Sequence, residues 1–385
     1  MTSITKNIME TALDNLVLLR YFEINCYVIS IAAIVFLVFR KDYETLFRFG
    51  SGAIFGTALE LMSVNLMKGY HYNPDFLINI GVPPGQFMLF GGIMWGLLMA
   101  LSIRVAERFR LNTLLTGLVS YLIVVGWDFF LDVIAIRIHG GFWVWEGAHL
   151  DYAITAKAFY GVPWTNYLGY AFVLPIMTLF VTFNGPMSRR QGLFGRLGFM
   201  LLNAGLSLAL FIPLISAVTA ADRILPGTAR ALFFCVVAIS VIWFGLHLAK
   251  TGLKISRRVD VAYLVFMGGS YLYLIVASVD LQVYKFVPVF FHAQFVILAC
   301  TLVLGMIESQ RSAGDADELA GPHTGITPTR HNTNIKIDRP VVGSHADARL
   351  EELVSVTASA SLIPRCEALW ISGPRGRRRI RALKL

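Results

Sequence analysis

Uncharged apolar runs of roughly 20 residues constrain this chain more than any other feature, because that is the length an α-helix needs to cross a hydrocarbon layer about 30 Å thick. Four runs, 87–102, 168–183, 199–219 and 287–306, contain no charged residue at all. In lipid every peptide group must find its hydrogen-bond partner inside the protein, which leaves the helix as the natural state of such a run. Five further runs bring the expected spans to 21–39, 46–66, 87–102, 114–136, 168–183, 199–219, 229–249, 261–278 and 287–306. The fold class implied is all-α, a polytopic transmembrane helical bundle of about nine spans. Composition agrees: 56% of the 385 residues are hydrophobic and 15% charged, too little charge to cover a soluble surface.

The loops alternate in charge. After the first, third, fifth and seventh spans come Arg40, Lys41 and Arg48, then Arg104, Arg108 and Arg110, then Arg189, Arg190 and Arg196, then Lys250, Lys254, Arg257 and Arg258. The intervening loops hold Lys68, Arg137, Lys157, Arg223, Arg230 and Lys285. The positive-inside rule turns this into an expectation of an integral multi-pass protein with its N-terminus outside and its C-terminus in the cytoplasm. It also accounts for the net charge of +9 without a nucleic-acid partner. Residues 1–20 read as a short amphipathic or interfacial helical lead-in to the first span, possessing Lys6, Glu10, Asp14 and Arg20 and no apolar core of a cleavable signal. Residues 21–308 form the transmembrane domain. Residues 309–385 read as a largely disordered tail, with a short helix at 350–362 and a basic end (Arg375, Arg377, Arg378, Arg379, Arg381, Lys384) suited to anionic headgroups. The four cysteines have neither metal nor redox spacing.

A carboxylate at the centre of a membrane helix costs about 2.5–3.5 kcal/mol, so each one needs a reason. Three sit well inside expected spans: Glu60 in the second, Asp128 and Asp132 in the fourth. The aspartates are one helical turn apart and share a face. One reading makes all three structural, paired with Arg137 or hydrogen-bonded to neighbouring helices. Their convergence at one depth favours a functional site. Two loops frame that depth. Residues 68–86 carry Tyr70, His71, Tyr72, Pro83 and Pro84; residues 139–167 carry Trp143, Trp145, Glu146, Tyr160, Pro163, Trp164 and Asn166. Part of this is an interfacial aromatic belt. The glycine- and proline-rich turns point further, to ordered loops capping a cavity.

The residues exclude several chemistries. There is no G-x-G-x-x-G, no histidine box among the eight histidines and no lysine deep in a span for a Schiff base. The Asp128-x-x-x-Asp132 pair lacks the second aspartate cluster of a magnesium–diphosphate site. Acids, aromatic faces and an apolar pocket without a cofactor or metal fit protonation of an electron-rich double bond. Burial favours the protonated form of a carboxyl group, and ring faces stabilise a cation.

From Glu60 to Tyr170 the chain resembles the carotenoid biosynthesis protein family of bacteria and archaea. The resemblance rests on Glu60, Tyr70-x-Tyr72, Gly81-Val82-Pro83, Trp95, Asp132, Trp143-x-Trp145 and Tyr160-Gly161-Val162-Pro163-x-x-Asn166-Tyr167-x-Gly169. The pattern departs at Val133, where proline is expected, and at Tyr170, where tryptophan is expected. Nothing after about Gly185 adds to it. The resemblance implies a hydratase of the γ-carotene or bisanhydrobacterioruberin type in a bacterial or archaeal cytoplasmic membrane. That is a cofactor-independent hydro-lyase adding water across the 1,2 double bond of an acyclic carotenoid end. Asp132 or Asp128 would protonate C2, while Glu60, with Asn166 or Tyr72, would direct the water. Tyr70, Trp95, Trp143, Trp145, Tyr160 and Pro163 would line the pocket. Two alternatives keep the same residues: a terpenoid or carotenoid cyclase, and a non-catalytic carotenoid- or lipid-handling protein.

Overall fold

The computed structural model describes residues 3–145, 150–256, 259–310, 370–371 and 378–379, with side chains from residue 16 onward in the first stretch. The long helices are α1 (Ser3–Phe39), α2 (Tyr43–Met62), α3 (Leu89–Glu107), α4 (Thr113–Ala135), α5 (Trp164–Arg189), α6 (Leu193–Ile224), α7 (Thr228–Thr251) and α8 (Val261–Asp280). A short α9 (Val283–Phe286) and α10 (Pro288–Leu304) follow. Each of the nine expected spans is a helix, and among the described residues seven helices are both long and apolar enough to cross a membrane. α2 is long enough and too polar, because it carries Glu44, Arg48 and Glu60 among glycines and hydroxyl residues. α10 is apolar and only 17 residues long. α1 runs unbroken from Ser3 through the expected lead-in into the first span, with its apolar part at Leu16–Phe39.

Side-chain caps set several helix starts. Asp42 accepts from Thr45 N at 3.0 Å, Asn112 from Leu115 N at 2.9 Å and Asp260 from Tyr263 N at 3.1 Å, each satisfying an otherwise orphaned amide. α3 and α4 are the most buried helices and form the centre. α2 lies close against α3 because glycines remove side-chain bulk. A Cβ on Gly52 would come within 3.1 Å of the Gly96 Cα, and one on Gly56 within 2.3 Å of Trp95. α4 meets α5 in the same way at Gly117, where a Cβ would sit 2.5 Å from the Pro175 Cα. That neighbour is backbone and cannot step aside. Gly117→Val is therefore expected to destabilise the protein by about 1–3 kcal/mol or prevent folding, read as a lowered thermal midpoint in detergent. A midpoint equal to the parent protein's would refute this packing.

Several buried polar side chains are paired between helices. Asn184 donates to Asn203 (2.6 Å), which donates to Ser51 (3.1 Å), joining α5, α6 and α2; Gln294 donates to Ser278 (2.7 Å), joining α10 and α8. At one end of the bundle, Arg48 holds Glu107 and Glu44, Arg104 holds Asp42 and Asp260, and Arg189 meets Glu44. β7 (Leu253–Ile255) pairs antiparallel with β8 (Ile307–Ser309) at the same end, so residues 309–310, expected in the tail, belong to the helical unit. The opposite end carries the loops of interest.

The chain divides into two units, Met1–Pro322 and His323–Leu385. In the second unit an antiparallel pair, Trp370–Ile371 with Arg378–Arg379, is described. The expected helix at 350–362, the disorder of the tail and its basic end otherwise fall outside the described residues.

Candidate functional site

Glu60, Asp128 and Asp132 face a common chamber, and all three are buried, with 8, 2 and 3% of their surface exposed. The helix pairing explains how. Glu60 is in the last turn of α2, against α3; Asp128 and Asp132 lie on the α4 face turned toward α5. From α5, Asn166 reaches both aspartates, its amide nitrogen 2.5 Å from Asp132 Oδ2 and 3.2 Å from Asp128 Oδ2. Tyr170, one turn further along α5, donates its hydroxyl to Asp128 Oδ1 at 3.0 Å. Trp95 of α3 donates its indole N–H to Glu60 Oε1 at 2.8 Å and stacks on Tyr170, with centroids 5.2 Å apart. The two acidic centres are thus joined through one aromatic pair.

The loops form the roof. α2 ends in a π turn (Ser63–Met67) and a left-handed Lys68, after which β1 (Tyr70–Tyr72) pairs antiparallel with β4 (Trp143–Trp145). The register places Tyr70 opposite Trp145 and Tyr72 opposite Trp143. Both phenols return to Glu60: Tyr72 donates to Oε2 at 2.5 Å, and Tyr70 donates to the same oxygen. Burial first, and the neighbouring Glu60 carboxylate second, hold both phenols well above their ordinary pKa range, so they serve as O–H donors. With Trp95, Glu60 accepts from three donors. Asn73, donating to the carbonyls of His139 and Gly141, and Gln86, donating to the Tyr72 carbonyl, fix the roof to its surroundings. Short strand pairs complete it: β2 (Asn79–Ile80) with β3 (Phe87–Met88), and β5 (Ala158–Phe159) with β6 (Val162–Pro163).

A fourth buried acid was overlooked in the sequence because it lies near the start of an expected span. Glu23 is fully buried in α1 and accepts the backbone amides of Leu77 (2.6 Å) and Ile78 (3.1 Å). It ties the loop before β2 to α1, and it is a structural acid.

The chamber leaves about 80 Å³ for the centres of water molecules, room for several. Of the residues singled out in the sequence, Glu60, Tyr70, Tyr72, Trp95, Asp128, Asp132, Trp143, Trp145 and Asn166 line it; Tyr160 and Pro163 do not. Tyr160 packs instead against Phe159, Tyr152 and Phe290 of α10, while its carbonyl accepts from Arg137 at 2.9 Å. Pro163 serves as the N-cap of α5, placing Asn166 rather than touching the chamber. Among the other lining residues, two with a side-chain N–H or O–H group went unassigned. Tyr170 stood out only as a departure from the family pattern, and Trp127, next to Asp128, read as one more apolar helix residue. The indole nitrogens of Trp127 and Trp145 are buried and have no hydrogen-bond partner among the described residues.

Arg137 does not neutralise the acids. Its guanidinium donates to the carbonyls of Val133, Leu150, Asp151 and Tyr160 and lies 4.2 Å over the Tyr152 ring. Loop carbonyls surround it, and the pairing considered from sequence is absent. Among the described residues no group of three or more His, Cys, Asp or Glu side chains is placed to hold a metal ion.

Residues 70–250 match the family model described as carotenoid biosynthesis protein. The match begins after Glu60, covers Asp128, Asp132 and Asn166, and continues well past Gly185, where the sequence alone offered nothing to quote. No curated protein and no solved structure matches the chain significantly.

Proposed function

We propose, for a chain that belongs through residues 70–250 to the carotenoid biosynthesis protein family, that it hydrates the terminal double bond of an acyclic carotenoid. The observation that carries this reading is the pairing of two unlike acidic centres in one chamber. Asp128 and Asp132 are bridged by a single amide nitrogen, an arrangement suited to two carboxyl groups sharing one proton. Glu60 accepts from three donors and is suited to receive one. Carboxyl groups held in contrasting surroundings commonly divide the acid and base roles.

In the proposed reaction the O–H bond of Asp132 or Asp128 breaks and a C–H bond forms at C2, leaving a tertiary cation at C1. The faces of Trp143, Trp145 and Tyr70 stabilise it. A water held by an indole N–H of Trp127 or Trp145 attacks C1, and Glu60 takes its proton. The carboxylate left on α4 is reprotonated from Glu60 through chamber water, so the net change is the addition of one water. No cofactor enters. The protein would sit in a bacterial or archaeal cytoplasmic membrane with the chamber end outside, as the loop charges favour, and its basic tail against anionic headgroups.

The test is expression in a bacterium that accumulates lycopene or γ-carotene, with pigments resolved by chromatography and mass spectrometry. The expected product is heavier than its precursor by one water. An isomer of unchanged mass would instead establish a cyclase, and unaltered pigment that co-purifies with the protein would establish a binder.

A further inference from the structure

A groove with about 460 Å³ open to water centres adjoins the chamber and shares six wall residues with it: Glu60, Tyr70, Trp95, Trp145, Asn166 and Tyr170. Three helical segments each present one stripe to it. Along α6 the stripe is Phe211, Ile215, Ser216, Thr219, Ala220 and Arg223, spaced by three or four residues or by one, the signature of a single helix face. It runs for about 18 Å at 1.5 Å per residue. Gly169 and Val173 of α5 and Leu59 of α2 line the opposite side. At Gly169 a Cβ would meet nothing closer than 3.7 Å, and that atom belongs to the Phe211 ring of the groove itself.

We infer that this groove is the seat of the substrate's apolar chain, an extended isoprenoid that lies along α6 with only its terminal double bond inside the chamber. The argument is one of size and continuity. The chamber takes a few waters or a small branched end group and no more, while a substrate of many isoprene units needs a long apolar trough leading directly from it. The groove is several times larger than the chamber, is elongated along α6 and meets the chamber at the residues that hold the acids. A file of water needs no such width. The identity of the chain rests on the proposed function; the presence of a chain in the groove does not.

The full-length protein, purified from a lycopene-producing bacterium, provides the test. Pigment per protein is read by absorbance and bound lipid by mass spectrometry for the parent protein, Gly169→Ala, Gly169→Leu, Ser216→Trp and Asp132→Asn. The parent, Gly169→Ala and Asp132→Asn are expected to retain pigment. Gly169→Leu and Ser216→Trp, which fill the groove from opposite walls, are expected to lose it by about tenfold while eluting as the parent does. Two filling variants guard against one failing to fold. Undiminished pigment in both folded filling variants, or a parent protein carrying only phospholipid chains, overturns the inference. If hydration is absent but pigment loss follows groove filling, the groove stands and the reaction falls; if filled variants hydrate as fast as the parent, the reverse holds.

Discussion

Asp132→Asn is expected to lower turnover by about 10²–10⁴-fold, the range that removal of a positioned proton donor produces. Asparagine has nearly the same shape, and its carbonyl can still accept from Asn166, so the α4–α5 contact at 2.5 Å survives. What is lost is the carboxyl proton. Asp128→Asn is expected to be severe for the same reason, because the two acids share the Asn166 amide. The double variant is expected to be hardly worse than the poorer single one, since groups that act as a unit are strongly non-additive. The measurement is the rate of product formation in membranes at matched protein levels. Turnover within threefold of the parent in Asp132→Asn and in the double variant would remove protonation by this pair.

Glu60→Gln is expected to cost about 10²-fold or more in rate through loss of the proton acceptor, and about 1–3 kcal/mol in stability. The stability loss arises because a glutamine offers one oxygen where the carboxylate serves Trp95 on one oxygen and Tyr70 and Tyr72 on the other. The control separates chemistry from scaffolding. Tyr70→Phe with Tyr72→Phe removes two of the three donors and leaves the carboxylate, so it should loosen the roof with a smaller effect on rate. A Glu60→Gln protein that melts lower and works at the parent rate would make Glu60 a structural acid, as Glu23 is.

The helices were legible in the sequence because a membrane imposes length and apolarity on each segment independently. Seven segments pass that test by themselves. α2 was read as a span although its run carries charge, and its polarity is the mark of a helix held by α3 rather than by lipid. The catalytic candidates were legible because an intramembrane carboxylate is costly wherever it occurs, which made Glu60, Asp128 and Asp132 visible without any partner. Partners are tertiary facts. Tyr70-x-Tyr72 and Trp143-x-Trp145 were each noticed, yet a period of two within three residues does not say which strand it will pair with. The same limit placed Tyr160 and Pro163 in the pocket. Both stand in the block that delivers Asn166, and sequence proximity could not separate the residue that reaches inward from those that shape the turn. Trp127 was hidden for the opposite reason: a tryptophan in an apolar helix needs no explanation until its N–H is seen to lack a partner.

The β1–β4 pair is anchored on several sides at once, through Glu60, Asn73 and Gln86. A ceiling fastened in this way is not a door. For the reaction proposed here, traffic in pigment runs sideways past α6, within the plane of the bilayer. Occupancy is then governed by how much carotenoid is dissolved per unit area of membrane, and by how stiffly the surrounding lipids pack, while dilution of the aqueous phase leaves it unchanged.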